Sequence, residues 1–349
     1  MVKMENLFGK SLAGLQELCE AEELPKYAAR QMCDWLYAKG VDSIDAMTNL
    51  SLKVRTRLKE FCSIERKAPL ECQVSRDGTK KYVFEVGGQG DSQVRCFIET
   101  VYIPDGERAT LCVSCQAGCK MGCRFCVTGS QGYKCSLTAS EILNQIFSIP
   151  EFGKLTNIVY MGMGEPFDNY EAVMQSIEVL TADWGLGWSP HRITVSTVGV
   201  KPGIERFMRY CDCHLAISLH NPVAAERLAI MPMQKAYPIA EVVSMLKRYD
   251  WGGQRRLSFE YTMFGGMNDD KSHAEALIKL LSPLRCRVNL IRFHTSPGTP
   301  FRSSPREKME RFMDILNEHG IRCTIRASRG EDIMAACGLL AGSVSGQGD

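Results

Sequence analysis

Three cysteines at close spacing are the residues of this sequence best suited to chemistry. Cys119, Cys123 and Cys126 form a C-x3-C-x2-C motif, and three thiolates on one loop can bind a metal together. Zinc sites normally close with four ligands, so zinc would also need Cys112, Cys115 or a distant residue. Cysteine thiolates also hold iron–sulfur clusters, and three would leave one iron of a [4Fe–4S] cluster open to an outside ligand. Three buried thiols without a metal are the remaining interpretation.

The composition of the chain limits the classes of protein to consider. Its 349 residues include 16 cysteines, and 42 basic side chains nearly balance 40 acidic ones. The first residues show no signal-peptide pattern, and no apolar run approaches the ~18 residues of a membrane span. We therefore expect a cytoplasmic protein without a membrane partner, in which many thiols indicate metal binding, catalysis or burial. The net charge of +2 argues only weakly for nucleic-acid binding by charge.

The elements that must position the cysteines are predicted from alternating strand and helix patterns after Ala109. Short apolar runs predict strands over 110–113, 157–161, 192–197, 214–219, 257–263 and 288–292. Helical patterns lie near 138–147, 170–180, 202–209, 239–248, 271–281 and 305–319. Capping boxes begin two of these helices, Thr138 with Glu141 and Ser304 with Glu307.

Six strand–helix units in a row predict a parallel sheet. Their roughly 220 residues fall short of the ~250 of a closed eight-unit barrel, so we expect an α/β fold with an open, partial (β/α)6 barrel over residues 105–340. The cysteine motif follows the first predicted strand. Barrels of this kind carry their chemistry at the carboxyl ends of the strands, so the motif lies where a site is expected.

The remaining segments predict accessory parts. Residues 1–68 show helical spacing, and the 11 basic and 11 acidic residues within 1–75 balance, which suits an accessory domain that grips RNA by shape. Residues 69–104 combine β-branched and aromatic residues with turn signals, so a small antiparallel β extension is expected. The Gly/Ser-rich segment 341–349 is expected to be disordered.

Several further motifs, taken in order, carry a family resemblance. C-x3-C-x2-C after the first strand of a partial barrel resembles the radical S-adenosylmethionine (SAM) superfamily. Around it stand Cys112-Val-Ser-Cys-Gln-Ala-Gly, Met161-Gly-Met-Gly-Glu-Pro, Ser218-Leu-His, Val288-Asn-Leu-Ile and Arg329-Gly-Glu-Asp-Ile followed by Ala336-Cys-Gly. Together they resemble the RlmN/Cfr family of radical SAM RNA methyltransferases, over about residues 96 to 342 and more weakly through the N-terminal helices.

The resemblance implies the cofactors and their ligands. One [4Fe–4S] cluster would bind Cys119, Cys123 and Cys126, and SAM would complete it, with two SAM molecules used per turnover. The family places SAM on Gly164, Glu165, Ser196, Ser218, Leu219, His220 and Asn289. The side chain of Leu219 should point away by strand alternation, so only its backbone is expected to contact SAM.

The resemblance also implies how methylation proceeds. One SAM would methylate Cys337, and a radical made from a second SAM would take hydrogen from that methyl group. The methylene radical would add to C2 of an adenosine, and Glu99 would accept the C2 proton. Cys112 would then attack the Cys337 sulfur, which releases the product and leaves a disulfide to be reduced. Glu99 shares a strand face with Phe97 and Val101, which argues against a purely solvent-facing position on an alternating strand.

Partners and alternatives follow from the same resemblance. The expected substrates are 23S rRNA and tRNA, the electron donor is of the flavodoxin type, and the chain is expected to be a monomer. Pro166 and Arg329-Gly330 favour the C2 enzymes, whereas Arg292 and His294 depart from them, which leaves a Cfr-type C8 methyltransferase open. A hypothesis of another class is a non-catalytic, zinc-stabilised RNA-binding protein, which would have no use for Cys337.

Overall fold

A computed structural model describes residues 4–87, 95–295 and 299–342. Most of the tail expected to be disordered, residues 343–349, therefore lies outside the described residues, as do residues 88–94 of the expected β extension. In these described ranges, no helix is long and apolar enough to span a membrane.

The N-terminal segment folds as three helices closed by a short parallel β pair. Its elements are β1 (Glu5–Asn6), α1 (Leu12–Ala21), α2 (Tyr27–Cys33), α3 (Leu52–Phe61) and β2 (Cys62–Ser63). The hydroxyls of Ser11 and Ser51 accept the N–H groups of Gly14 and Val54, so each begins its helix as an N-cap. The helical prediction for this segment is confirmed.

An antiparallel meander follows and joins the main sheet. Its strands are β3 (Glu71–Val74), β4 (Lys80–Val86) and β5 (Cys96–Asp105), and β5 also pairs antiparallel with β6 (Arg108–Cys112). The meander therefore continues the barrel sheet and is not a separate sheet.

A small hairpin carries the cysteine motif after β6. Strands β7 (Gln116–Gly118) and β8 (Tyr133–Ser136) pair antiparallel, and the short helix α4 (Val127–Ser130) lies between them. Gly118 has a positive φ of 73°, and a side chain there would overlap the carbonyl of Gly132. Only glycine therefore allows the chain to enter the motif at this point.

The rest of the chain alternates parallel strands with helices. The strands are β9 (Asn157–Tyr160), β10 (Ile193–Thr197), β11 (His214–Ser218), β12 (Leu257–Met263), β13 (Arg287–Arg292) and β14 (Arg322–Ile325). The helices are α5 (Ala139–Phe147), α6 (Tyr170–Thr181), α7 (Lys201–Tyr210), α8 (Ala224–Ile230), α9 (Ile239–Leu246), α10 (Lys271–Leu281) and α11 (Arg306–Glu318). In the described part of the chain, the sheet runs β14-β13-β12-β11-β10-β9-β6-β5-β4-β3 and stays open.

The partial α/β barrel is therefore confirmed, with one strand more than predicted. Strand β14 adds a seventh parallel strand beside β13. It escaped the sequence pattern because it is short and lies at the edge, with Cys323 buried and Arg322 and Thr324 exposed.

One of the two capping boxes is confirmed and the other is wrong. The Thr138 hydroxyl accepts the Glu141 N–H, and the Glu141 carboxylate accepts the Thr138 N–H in return. The Ser304 hydroxyl instead donates to Asp269 Oδ2 at 2.7 Å, and Pro305 occupies the N-cap of α11 without a side-chain bond. The hydrogen bond of Ser304 with the distant residue Asp269 thus replaces the predicted cap of α11.

One continuous hydrophobic core joins the N-terminal helices to the barrel. Phe8 packs edge-on against Phe147 of α5 with ring centroids 5.4 Å apart, and Tyr37 contacts both Phe147 and Trp184. A side chain at Gly9 would overlap the backbone of Ser140. The N-terminal helices are therefore docked on the barrel, and dividing the chain at residues 68 and 104 stays a prediction.

Candidate active site

A cavity at the carboxyl ends of the parallel strands brings ten of the predicted site residues together. These are Cys112, Cys119, Cys123, Cys126, Gly164, Glu165, Ser196, Ser218, His220 and Cys337. Strands of a parallel sheet all end at the same edge, so residues far apart in sequence meet there. Three predicted site residues, Glu99, Leu219 and Asn289, do not line this cavity.

The cysteine motif lies on one wall of the cavity. The Cys119 N–H donates to Gly132 O at 3.0 Å, and the Cys126 N–H donates to Cys123 O at 3.1 Å. Burial raises the pKa of Cys119 to about 12 and raises the pKa values of Cys123 and Cys126. The other two thiols raise the pKa of Cys123 further, which indicates that the three thiols lie close to one another. A bound cation would relieve this burial cost by stabilising the thiolates.

Glu165 presents a buried carboxylate at the end of β9. Its Oε2 accepts the Val198 N–H at 2.9 Å and its Oε1 accepts the Phe167 N–H at 3.2 Å. Burial raises the Glu165 pKa to about 7, although these hydrogen bonds and one with Thr197 oppose the shift. Gly164 has a φ of 98° and lies so close to Gln116 that a side chain would overlap it. Glycine at this position therefore lets the loop after β9 pack against Gln116 while it lines the cavity.

Arg227 organises the ends of two neighbouring strands from inside the protein. It is fully buried and donates to the carbonyls of Val198, Ser218 and Leu219 at 2.9 to 3.0 Å, and to Gln234 Oε1 at 2.6 Å. Burial lowers its pKa to about 10. One guanidinium thus ties together loops whose carbonyls would otherwise lack partners.

His220 lies beside Arg227 in a strained backbone conformation, with a φ of 55°. Its Nδ1 accepts the Thr262 N–H at 3.0 Å. Burial and the Arg227 charge lower its pKa to about 3, so the ring is neutral and presents Nε2–H as a donor. Its ring packs edge-on against Phe125 of the cysteine motif.

Leu219 and Asn289 stand behind the cavity wall. The side chain of Leu219 is buried, its N–H donates to Glu260 O, and its carbonyl accepts from Arg227. Both backbone polar groups of Leu219 thus have partners in the protein, and the expected backbone contact between Leu219 and SAM stays a prediction. Asn289 Nδ2 donates to Glu260 Oε1 at 2.8 Å, and Glu260 itself lines the cavity. Asn289 thus orients Glu260 from behind.

Cys112 and Cys337 both line the cavity, although 225 positions separate them in sequence. Burial raises the pKa of Cys112 to about 12, and the nearby Cys337 sulfur adds to the shift. Arg326 interacts electrostatically with both sulfurs and with Glu260. The structure therefore places two thiols and a guanidinium at one end of the cavity.

Glu99 lies in a second cavity beside the first. It is buried, its Oε2 accepts the Ala341 N–H at 2.8 Å, and its Oε1 is 3.2 Å from Lys81 Nζ. The same face of β5 carries Val101 and Ile103, which line the main cavity. Glu99 therefore lies on β5 next to Val101 on the same face, beside the cavity that contains the thiols of Cys112 and Cys337.

The sequence analysis gave four charged residues no role in this site: Lys81, Glu260 and Arg326, which line the cavities, and Arg227, which is buried behind the main one. In the sequence each resembles an ordinary surface charge. Glu260 alone could have been found, because a single acidic residue inside an otherwise uncharged predicted strand is uncommon.

Known proteins with similar sequences decide the family. A model described as the ribosomal RNA large subunit methyltransferase N-terminal domain matches residues 5–64, and the radical SAM superfamily model matches residues 113–281. A Bacteroides thetaiotaomicron protein named "Probable dual-specificity RNA methyltransferase RlmN" is 54% identical over 340 residues, which cover 97% of both chains. The chain belongs to the RlmN family.

Two further relatives agree with this membership of the RlmN family. The dual-specificity RNA methyltransferase RlmN of Syntrophus aciditrophicus is 42% identical and matches 97% of this chain and 96% of its own. The crystal structure of a radical SAM methyltransferase from Sphaerobacter thermophilus superposes with a TM-score of 0.88 at 39% identity, and the match covers 97% of this chain and 100% of that one.

The cavity fits the cofactors of an RlmN-family enzyme, a [4Fe–4S] cluster and SAM. Cys119, Cys123 and Cys126 could hold the cluster. Over residues 4–87, 95–295 and 299–342, no three His, Cys, Asp or Glu side chains converge as a single metal ion requires, whereas a four-iron cluster is larger and binds thiolates that lie farther apart. Cys112 lies with Cys337 and Arg326. The hypothesis of a non-catalytic, zinc-stabilised RNA-binding protein is wrong because the chain belongs to a family of RNA methyltransferases.

Replacing Arg227 by Met should destabilise the protein by about 3 kcal/mol, because buried carbonyls lose a charged donor. Anaerobic urea unfolding of the purified enzyme measures the free energy. Arg206→Met is the matched control, since Arg206 is half exposed and pairs with Glu171 at the surface, and we expect its stability to match that of the wild type. Equal stability of Arg227→Met and Arg206→Met would contradict the role of Arg227.

SAM should bind more tightly as the pH rises through the Glu165 pKa of about 7, because an N–H donor prefers the ionised carboxylate. Between about pH 6 and about pH 7.5 we expect a five- to tenfold gain in affinity. Anaerobic equilibrium dialysis measures it. The Glu165→Gln variant should bind weakly at both pH values, and an unchanged pH dependence in that variant would assign the titration to another group.

Proposed function

We propose that the chain methylates C2 of an adenosine in 23S rRNA and in tRNA, with Cys337 as the methyl carrier and Cys112 as the resolving thiol. The observation that carries the proposal is the meeting of Cys337, Cys112 and the three-cysteine motif in one cavity. Relatives across nearly the whole length of the chain are named dual-specificity RNA methyltransferases, which supports RNA as the substrate class.

The carrier mechanism suits the target atom. An adenine C2–H is neither acidic nor nucleophilic, so direct displacement at the SAM methyl group is poorly suited to it. When bound, the cluster and SAM supply the methyl group and the radical. Cys337 is exposed, so its sulfur can first take the methyl group as a thiolate and then reach the base. Arg326, close to both sulfurs, stabilises the negative charge that each thiolate carries.

Release of the product requires the two thiols to meet. The Cys112 thiolate attacks the Cys337 sulfur, and the carbon–sulfur bond to the product breaks with its electron pair on the methylene carbon. That carbon takes a proton to become the methyl group, and a Cys112–Cys337 disulfide forms. Disulfide geometry needs the two Cα atoms roughly 4.4–6.8 Å apart. Both cysteines line the same cavity, and their sulfurs interact electrostatically, so a movement of the C-terminal segment can bring the two thiols together.

The other cavity residues are proposed to hold SAM. Gly164, Glu165, Ser196, Ser218 and His220 line the wall beside the cysteine motif. Their backbone groups, carboxylate, hydroxyls and neutral imidazole offer complementary donors and acceptors to the polar ends of SAM. Leu219 and Asn289 act indirectly, by fixing the strand end and Glu260.

RNA binding and the other partners belong to the same proposal. An adenosine in folded RNA must leave its stack to reach this cavity, and the N-terminal helices docked on the barrel offer a surface of balanced charge for binding RNA by shape. A flavodoxin-type protein as electron donor, a monomeric state and a cytoplasmic location complete the proposed function.

Methylation at C8 is the alternative that one observation keeps open. Arg292 and His294, the departures from the C2 pattern, both approach Glu331 Oε1, at 3.7 and 3.6 Å. His294 also contacts Ser328 Oγ at 3.1 Å. These contacts form a polar wall near the C-terminal segment that an adenine edge could meet. Nuclease digestion and chromatography of the methylated RNA distinguish 2-methyladenosine from 8-methyladenosine, and the C8 product would overturn the C2 assignment.

Peptide mass spectrometry should find one extra methyl group on the peptide that contains Cys337. The Cys337→Ala variant should lose RNA methylation, and Cys112→Ala should accumulate a covalent RNA–protein adduct through Cys337, because product release needs the second thiol. Cys72→Ala is the control, since Cys72 is exposed on β3 and lines neither cavity. RNA methylation at the wild-type rate by Cys337→Ala would disprove the carrier mechanism.

Anaerobic metal analysis should find about four irons and about four acid-labile sulfides per chain, as a cubane requires. The Cys123→Ala variant should lose most of both, because two thiolates hold a cluster poorly. The Cys72→Ala control should retain them. About one zinc per chain without sulfide would contradict the proposed role of the three cysteines.

A further inference from the structure

The second cavity contains a buried ion pair between Glu99 and Lys81. The proposed mechanism uses Glu99 but gives Lys81 no role. Lys81 and Glu99 both line this cavity, together with Val127, Met334 and Ala341. The Lys81 side chain is only 8% exposed and Glu99 only 1%. Lysine is almost never buried to this extent unless it is paired. We therefore ask what function the buried pair serves.

Strand pairing brings the two charges together. Lys81 of β4 lies opposite Val101 of β5, and Glu99 lies opposite Val83. Lys81 and Glu99 are therefore diagonal neighbours on one face of the sheet, within reach of a long side chain. The preceding residue, Lys80, pairs with Glu151 on the opposite face. The alternation of the strand thus aims Lys81, and not Lys80, at Glu99.

Each carboxylate oxygen of Glu99 has its own partner. Lys81 Nζ is 3.2 Å from Oε1, and the Ala341 N–H donates to Oε2 at 2.8 Å. Ala341 belongs to the segment that carries Cys337, and this segment is bonded to α4 through Gly338 and Leu340. The carboxylate is thereby held in one orientation relative to the methyl carrier.

We propose that Lys81 is a positioning residue that pairs with Glu99 Oε1 and aims the carboxylate, so that Glu99 can take the C2 proton of the nucleotide adduct. This inference rests on the proposed function. A carboxyl group buried without a cation favours its neutral form, and a neutral carboxyl cannot serve as the base. In the step itself the C2–H bond breaks, an O–H bond forms on Glu99, and the electron pair of the broken bond stays on the adduct. The unpaired electron left by the radical addition would return to the cluster when it is bound, which leaves a closed-shell thioether.

The role assigned to Lys81 applies to one step only. Methylation of Cys337 comes before the base is needed, so it should not depend on Lys81. Resolution of the RNA–protein adduct comes after adduct formation and requires loss of the proton. A purely structural ion pair between β4 and β5 would instead affect both steps together through the fold.

The test uses the reconstituted, full-length holoenzyme with SAM, a reductant and an RNA substrate. Lys81→Met removes the charge at similar length, Lys81→Arg keeps the charge, and Lys80→Met is the matched control on the same strand. Peptide mass spectrometry measures methyl groups on Cys337. Denaturing gels of quenched single-turnover reactions measure the covalent adduct, and nucleoside analysis measures the product.

We expect Lys81→Met to carry a methylated Cys337 as the wild type does, but to resolve the adduct about tenfold more slowly. Lys81→Arg should regain most of the rate, and Lys80→Met should match the wild type. Lys81→Gln, which keeps a hydrogen bond but no charge, covers the case in which the Met variant does not fold, and it should also accumulate adduct.

Two results would overturn the inference. Either Lys81→Met and Lys81→Gln resolve the adduct at the wild-type rate while Glu99→Gln accumulates it, or the two Lys81 variants lose Cys337 methylation as well. A different result would count against the proposed function itself: Glu99→Gln resolving the adduct at the wild-type rate would remove Glu99 as the base. The two failures are thus distinguishable in one set of reactions.

Discussion

Two hydrogen bonds between helix α4 and the C-terminal segment determine where the reactive sulfur of Cys337 can lie. The Val127 N–H donates to Gly338 O at 2.9 Å, and the Thr128 hydroxyl donates to Leu340 O at 2.6 Å. Val127 directly follows Cys126, so the short helix next to the cysteine motif also fixes the segment of Cys337, the proposed methyl carrier. The proposed cluster site and the proposed carrier are thereby held together although the chain between them forms nearly the whole barrel.

The site is built from charges that the fold has removed from water. Arg227 is fully buried among backbone carbonyls, Glu165 is buried among backbone N–H groups, and Lys81 pairs with Glu99. Burying a charge is costly unless it is hydrogen-bonded or paired. Each of these residues therefore depends on a specific local geometry, and in return it makes that geometry rigid where ligands are to be positioned.

The continuous sheet explains how the accessory parts take part in the site. Strand β5 pairs with β6 of the barrel on one side and with β4 on the other. One face of β5 carries both Glu99 and the wall residues Val101 and Ile103. The antiparallel extension is thus part of the active-site wall, and the N-terminal helices share the core of the barrel.

The sequence by itself determined the family, the partial α/β barrel and the motif that holds the cysteines, because these depend on local spacing and on periodic burial. It also identified Cys112 and Cys337 by resemblance. Only the tertiary structure decided three other features: the edge strand β14, the hydrogen bond of Ser304 to Asp269, and the buried partners Lys81, Arg227 and Arg326. The physical reason is that a charge or hydroxyl has no periodic signature, and its role depends on which distant group removes it from water.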